Sequence, residues 1–345
     1  MRGRVVRVPR KRGERARKAL IELGYLDKRR RIAEDGDCLL IPILVSAPKT
    51  LDLEMKCEVM YADLEGQDEQ ARPRSLREAP GLPPEVASEV TRSLDIVGDI
   101  AIIRLNEEHL PRAEEIGRAI LELHPRLRAV AVDSGVQGPH RVRALELAAG
   151  EGPLVTLHRE NGLKLRVDLE RAYFSPRLAT EHRRVAALVR EGERVLDMFA
   201  GVGPFSVLIA VDRRASEVHA IDINPVAAGL IVENAQLNKV SSRVHVHEGD
   251  ARELVPGLGT FDRVIMNHPT EAVEFFELAL GAGRNGTVLH LHIIGTEQEV
   301  DAEETSVRSI AAMSGFPGTR TLARREVGTF GPGITHYCLD IELGP

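Results

Sequence analysis

The sequence predicts an α/β protein: a doubly wound, mostly parallel sheet in the C-terminal half, preceded by two smaller α+β units. Three observations carry this. From about residue 176 onward, strand-like runs alternate with helical stretches. The first such run, "RVLD", ends at Asp197 and opens into "MFAGVGPF", a glycine turn at the mouth of a strand. The 345 residues, 43% hydrophobic and 28% charged, suffice for two or three domains with a sizeable core. No run approaches the roughly 18 apolar residues that a membrane span needs, so no membrane contact is expected.

Residues 1–47 form the first unit. "RVVRVP" alternates as a strand does, "KRGERARKALIEL" has helical spacing, and Gly24 stands where that helix would stop. "RRIAEDGDCLLIPIL" reads as a hairpin turning at Asp35-Gly36. Residues 48–90 carry less pattern, and "ARPRSLREAPGLPPEV" within them has the composition of an exposed linker. The α+β unit at 91–168 opens on "SLDIVGDIAIIRL", two strands around Gly98. It continues through the helix "PRAEEIGRAILELHP", the strand "RAVAVD" and further strands. Residues 169–345 hold the main sheet. Its strands are "RVLDMF", "EVHAID", "VHVHEG", "DRVIMN", "TVLHLHII", "TRTLARREV" and "THYCLDIEL". Helices separate the first five, which implies right-handed crossovers. The last two have none between them and read as an antiparallel hairpin at the sheet edge.

Charge is unevenly spread. The net charge is −6, yet residues 1–31 hold 13 Lys/Arg against three Asp/Glu, and the remainder holds 33 against 49. A basic head on an acidic body points to a polyanion, most simply nucleic acid, although a solvated basic helix would read the same way. The opening residues lack the apolar stretch of a secretory signal. Cys38, Cys57 and Cys338 are far apart and form no CxxC pair. A reducing cytoplasm is therefore expected, with no disulfide framework and no zinc or other metal site.

Phosphate, a dinucleotide and the methionine end of S-adenosylmethionine are the ligands such a glycine turn could hold. A dinucleotide fingerprint needs a third glycine, but Gly201 and Gly203 lead into Pro204-Phe205-Ser206. A P-loop needs Gly-Lys-Ser/Thr, which is absent. What remains is D-x-F-x-G-x-G, followed by Asp222 at the end of the next strand and Asp250 after the third. That set suits S-adenosylmethionine. The glycines let backbone approach the ligand, Asp197 meets the ammonium, directly or through water, Asp222 grips the ribose hydroxyls and Asp250 accepts from the adenine amine. A structural glycine turn with capping carboxylates is the bland alternative.

The fourth strand ends in "IMNHPTEA", where Asn267 and Pro269 stand at the catalytic mouth. His268 and Thr270 depart from the Asn/Asp-Pro-Pro-aromatic motif of exocyclic-amine methylases, which leaves a ring nitrogen, a ring carbon or a small molecule as the target. Just before the sheet, "AYFSPRLATEH" (172–182) resembles the Y-F-S-P-R-L-x-x-E-R signature of the archaeal and eukaryotic tRNA (guanine-37-N1)-methyltransferases. "DMFAGVGPF" and "NHP" match the next two motifs of that family. "VQGPHRVRALELAAG", "GPGITHYCLDIEL" and residues 1–47 resemble its middle domain, last strand and tRNA-elbow domain, so the likeness covers nearly the whole chain.

The resemblance implies a Rossmann-like methyltransferase sheet, S-adenosyl-L-methionine as cofactor, and tRNA as partner of a cytoplasmic monomer. A dependence on Mg2+ has no pattern in the chain. Glu181 would be the general base, Arg141 the group that steadies the guanine oxygen, with Arg143 its competitor, and Asn267 the holder of the base edge. Cofactor contacts would come from Tyr173, His182, Asp197, Phe199, Gly201, Gly203, Asp222, Ile223, Asp250, Ala251 and Asn267. Two departures stand out: His182 replaces the family's arginine, and "GPH" at 138–140 replaces Gly-Glu-Phe/Leu. The rivals are the tRNA aminocarboxypropyltransferase of wybutosine synthesis and a tRNA-binding factor without catalysis.

Overall fold

In the computed structural model, the residues described are all except 1, 28, 29, 49, 52, 54–56, 64–74, 77–82, 139, 141, 213 and 332. The chain forms two compact units, Met1–Gly81 and Leu82–Pro345. No helix among the described residues is long and apolar enough to cross a membrane.

The first unit contains β1 (Arg2–Pro9), α1 (Gly13–Glu22), β2 (Ala33–Asp35), β3 (Cys38–Pro42) and β4 (Glu58–Asp63). The strands form one antiparallel sheet in the order β2-β3-β1-β4. Ala16 and Leu20, four residues apart on α1, share an apolar core with Val6, Val8 and Ile41. The hairpin turns at Gly36-Asp37, one residue later than the sequence suggests, with Gly36 at φ +57°. β4 is a correction. The pattern places a linker at 48–90, yet Glu58–Asp63 pairs with β1 along six residues. As an edge strand with half-exposed side chains, it has no clean alternation to read. The helix α2 (Pro84–Ser93) also lies in that stretch. Most of "ARPRSLREAPGL" is outside the described residues.

In the second unit, β5 (Asp95–Val97), β6 (Ile100–Ile103), β7 (Ala129–Gln137) and β8 (Val142–Gly150) make a four-stranded sheet in chain order, and α3 (Ala113–Leu123) packs on it. A hairpin follows, β9 (Val155–Glu160) and β10 (Leu163–Asp168). The remaining strands are β11 (Arg194–Asp197), β12 (Glu217–Asp222), β13 (Val244–Glu248), β14 (Arg263–Met266), β15 (Val288–Gly295), β16 (Arg320–Gly331) and β17 (Ile334–Glu342). Their order is β13-β12-β11-β14-β15-β17-β16. The first five are parallel, and β17 and β16 close the edge as the expected antiparallel hairpin. The connecting helices are α4 (Ala179–Leu188), α5 (Pro204–Val211), α6 (Pro225–Leu237), α7 (Ala251–Leu254), α8 (Phe276–Gly281) and α9 (Glu297–Met313).

The smaller sheet and the large one share a core. Val97, Ile100 and Leu154 belong to the same buried cluster as Leu165, Val167, Phe205 and Ile231. Two asparagines fasten the β9–β10 hairpin. Asn234 and Asn238, four apart on α6, each accept from and donate to the backbone of β10, at Arg166 and Lys164. A helix thus satisfies hydrogen bonds that the open edge of a two-stranded ribbon leaves unmade.

Candidate active site

The chain reverses direction across the sheet at β11 and β14, and ligands of open α/β sheets bind beyond the strand ends at such a point. There a cleft of about 530 Å³ opens. Gly201 (φ +57°) and Gly203 (φ +86°) make its floor turn, in backbone conformations that side chains resist. Gly203 also caps α5, with Pro204 at its first position, and an added Cβ would press on Ile231 at 3.2 Å.

Tyr173, His182, Phe199, Gly201, Asp222, Ile223, Asp250, Ala251 and Asn267 all line this cleft. The carboxylate of Asp222 accepts from the backbone N–H of Gly201 at 2.7 Å and of Asn224 at 2.9 Å. A carboxylate has about four acceptor positions, so two remain for a ligand, the number a ribose diol uses. Burial pushes the Asp222 carboxyl up, against the pull of those two N–H groups. Asp250 caps α7 through Arg252 N–H at 2.8 Å and keeps its second oxygen on Arg252, 3.3 Å away. Phe199 meets Phe275 edge-on, with centroids 4.9 Å apart.

Three expected residues do not line the cleft. Gly203 acts through packing, as above. Asp197 is fully buried beneath the turn, where the Ser206 hydroxyl donates to it at 2.7 Å. Burial pushes its carboxyl up to about 7, aided by the charge of Asp222 and opposed by Ser206. The other oxygen of Asp197, Oδ1, is buried without a hydrogen-bond partner among the described residues.

Glu181 is 5% exposed and faces the sheet, where Arg184, three residues on, donates to both its oxygens at 2.7 Å. Arg184 also donates to Asp340 at 2.6 and 3.0 Å. Asp340 accepts from His290, which in turn accepts from Arg263, and Arg263 grips Glu193. Because guanidinium only donates, Nε2 of His290 must be its acceptor and Nδ1–H its donor. Burial works against charge on Asp340, but His290 and Arg184 outweigh it and hold the carboxyl well below its usual range. Two histidines lie between Glu181 and the cleft, and Nε2 of the nearer one, His292, has no hydrogen-bond partner among the described residues. Oε1 of Glu181 is 3.9 Å from Nε2 of His292, whose Nδ1 is 3.0 Å from Nε2 of His336, a cleft-lining residue. Burial lowers both imidazoles, His336 to about 4, so both are neutral at pH 7.

His182 is held by a carboxylate that the sequence does not announce. Its Nδ1 is 2.7 Å from Oε1 of Glu160, and its ring meets Phe205 edge-on. Burial raises the Glu160 carboxyl, but His158 and His182 outweigh it and bring it down to about 2. Arg141 lies outside the described residues. Arg143 lines the cleft with its guanidinium 3.1 Å from Asp133 and 3.7 Å from Asp95, and it lies over the Tyr173 ring. The lining residues His140, Phe330 and His336 are not among the expected site residues, although His140 and His336 lie within stretches that resemble the family's middle domain and last strand. Phe330 and His336 come from the edge hairpin, which only the fold brings to the cleft.

Comparison with known proteins agrees over the whole chain. The profile of the TRM5/TYW2 methyltransferase domain matches residues 156–314, that of the TYW2 N-terminal domain 75–153, and that of the tRNA methyltransferase 5 N-terminal domain 6–51. The tRNA (guanine(37)-N(1))-methyltransferase Trm5b of Pyrococcus abyssi is 41% identical over 340 residues, 98% of each chain. The solved complex of aTrm5 and tRNALeu superposes with a TM-score of 0.80 at 32% identity, over 99% of both chains. The tRNA(Phe) (4-demethylwyosine(37)-C(7)) aminocarboxypropyltransferase of Pyrococcus horikoshii is 30% identical over 263 residues, 76% of this chain and 93% of its own. Its match leaves about a quarter of this chain uncovered, whereas Trm5b matches end to end. With its cleft, its sheet order and this full-length likeness, the chain belongs to the TRM5/TYW2 methyltransferase family and carries the Trm5-type N-terminal domain.

Proposed function

We infer that this chain is a tRNA methyltransferase that transfers a methyl group from S-adenosylmethionine to N1 of guanosine 37. The observation that carries this reading is the end-to-end likeness to Trm5b, N-terminal domain included. When bound, the cofactor supplies an electrophilic methyl group. Asp222 takes its ribose hydroxyls with the acceptor positions that Gly201 and Asn224 leave, and Asp250 with Ala251 takes the adenine end. Asn267 holds the edge of the guanine. All assigned groups come from one chain, so a monomer suffices.

Guanine N1 is a poor nucleophile until its proton leaves, and negative charge then gathers on O6. A guanidinium there stabilises it. Arg143 is committed to Asp133 and Asp95, so Arg141 is the residue assigned. Glu181 is the terminal acceptor of the proton, reached through two histidines. The proton enters at Nδ1 of His336, Nε2–H of His336 passes to Nδ1 of His292, and Nε2–H of His292 passes to Glu181 once the 3.9 Å between them closes or a water bridges it. Each imidazole ends neutral, with its tautomer exchanged.

The test is an unmodified tRNA transcript incubated with cofactor labelled in the methyl group. Label should appear as 1-methylguanosine at position 37 and vanish when that base is adenosine. Transfer of label from the cofactor's aminocarboxypropyl chain instead would replace this reading with the wybutosine-type reaction.

A further inference from the structure

Four polar side chains meet on one face of the sheet, away from the cleft. Glu217 and His219 stand on β12, His245 and His247 on β13, and the parallel register sets His219 beside His245. Residues two apart on a strand share a face, so each pair points the same way. Nε2 of His219 is 3.3 Å from Oε1 of Glu217, and Nε2 of His245 is 3.6 Å from Oε2. The three side chains each offer a ligand atom within 4.8 Å of the others. Nε2 of His219 is buried and has no hydrogen-bond partner.

We propose that Glu217, His219 and His245 form a binding site for a zinc-class divalent ion, with His247 orienting His219 behind it. An ion about 2.0–2.2 Å from each nitrogen and oxygen needs ligand atoms roughly 3–4 Å apart; Nε2 of His245 is 3.6 Å from Oε2 of Glu217, and the three residues each offer an atom within 4.8 Å of the others. Two imidazoles and one carboxylate suit zinc, nickel or copper, whereas calcium and magnesium require oxygen donors. His247 lies 3.0 Å from Nδ1 of His219, the outer contact that leaves Nε2 as the ligating atom. Arg194 donates to Oε1 of Glu217, so Oε2 is the oxygen left for the ion. His245 is exposed, which leaves room for water at a fourth position.

The two other clusters of such side chains differ in kind. Glu181, His292 and Cys338, and His290, Cys338 and Asp340, surround Arg184. Its guanidinium donates to Glu181, to Asp340 and to the Cys338 sulfur at 3.3 Å. The cation of those clusters is built into the chain. In the Glu217 cluster Arg194 takes Oε1 of the carboxylate, and Nε2 of His219 stays without a hydrogen-bond partner among the described residues.

Titration of the full, untagged chain with zinc chloride in a non-coordinating buffer tests the proposal by calorimetry. One ion should bind per chain, and the melting temperature should rise by a few degrees. With copper(II) in place of zinc, the electron paramagnetic resonance spectrum should show coupling to two imidazole nitrogens. His245→Ala, an exposed and fold-neutral change, should weaken binding at least tenfold and remove one nitrogen. His247→Ala should weaken it about tenfold through loss of orientation. Methyl transfer should be unaffected by His245→Ala, since none of these residues lines the cleft. Unchanged affinity in His245→Ala, or no stoichiometric binding by the wild-type chain, overturns the site.

Discussion

Two sets of charges are carried by different strands of one sheet and behave differently. Under α4, Glu181, Arg184, Asp340, His290, Arg263 and Glu193 form a closed chain of ion pairs and hydrogen bonds. At the strand ends, Asp222 and Asp250 line the cleft and accept from backbone N–H groups, Asp222 from these alone and Asp250 with a longer contact to the Arg252 side chain. In the first set each charge answers another, which fixes the architecture. In the second, backbone aims the charge and leaves capacity unspent, which is what a ligand needs. Glu181 belongs to the first set by its contacts and to the second by its assigned role, so it is where the distinction is tested hardest.

The largest effect is expected there. Glu181→Gln should lower single-turnover methyl transfer by about 10²–10⁴-fold with cofactor and tRNA binding retained. His336→Gln should reproduce much of that loss, because it cuts the route between cleft and carboxylate. A slow Glu181→Gln beside a normal His336→Gln would mean that Glu181 reaches the base directly. A normal rate in both would return Glu181 wholly to the structural set.

Arg184→Met should show up in stability, not in the first instance in affinity. It strands two buried carboxylates, a loss of about 3–5 kcal/mol in chemical denaturation. Asp222→Ala should do the reverse, with near-normal stability and at least a tenfold loss of affinity for S-adenosylhomocysteine by calorimetry, from two charge-assisted hydrogen bonds worth roughly 1.5–3 kcal/mol each. If Asp222→Ala cost more stability than Arg184→Met, the comparison would fail.

The smallest expected effect concerns Glu160, whose carboxyl is held down at about 2 by its histidines. A depressed carboxyl contributes stability that is complete above its unfolded value near 4.5 and is lost as pH falls toward 2. Glu160→Gln should therefore flatten the acid limb of a melting-temperature profile below about pH 4.5. The cost at pH 7 should be about 1–2 kcal/mol. An unchanged acid limb would show that the Glu160–His182 pair does not couple to folding.

What the sequence made legible follows from how each feature is encoded. The sheet could be read because buried parallel strands are apolar runs between helices, and the cleft-lining Asp222 and Asp250 because they sit at or just after strand ends. The burial of Glu181 could not be read. Glu181 and Arg184 stand three apart on α4 and so look like an ordinary solvated pair, while their partner Asp340 is more than 150 residues away. The same holds for Glu160 under His182, for β4, and for His219 with His245, which only strand register brings side by side. Local pattern encodes which face of an element is apolar. It does not encode which distant charge that face will meet.

The apolar core common to the four-stranded sheet, the β9–β10 hairpin and helices α5 and α6 has a consequence for entry. The wall that carries Arg143 and the floor that carries Gly201 are cast in one piece, stitched further by Asn234 and Asn238. Such a mouth does not open to admit a base and then shut. On the proposed function, a nucleobase would reach it by leaving its own stack, so the work of admission, about a few kcal/mol, would fall on the RNA. An anticodon loop, already partly unstacked, does that work at least expense.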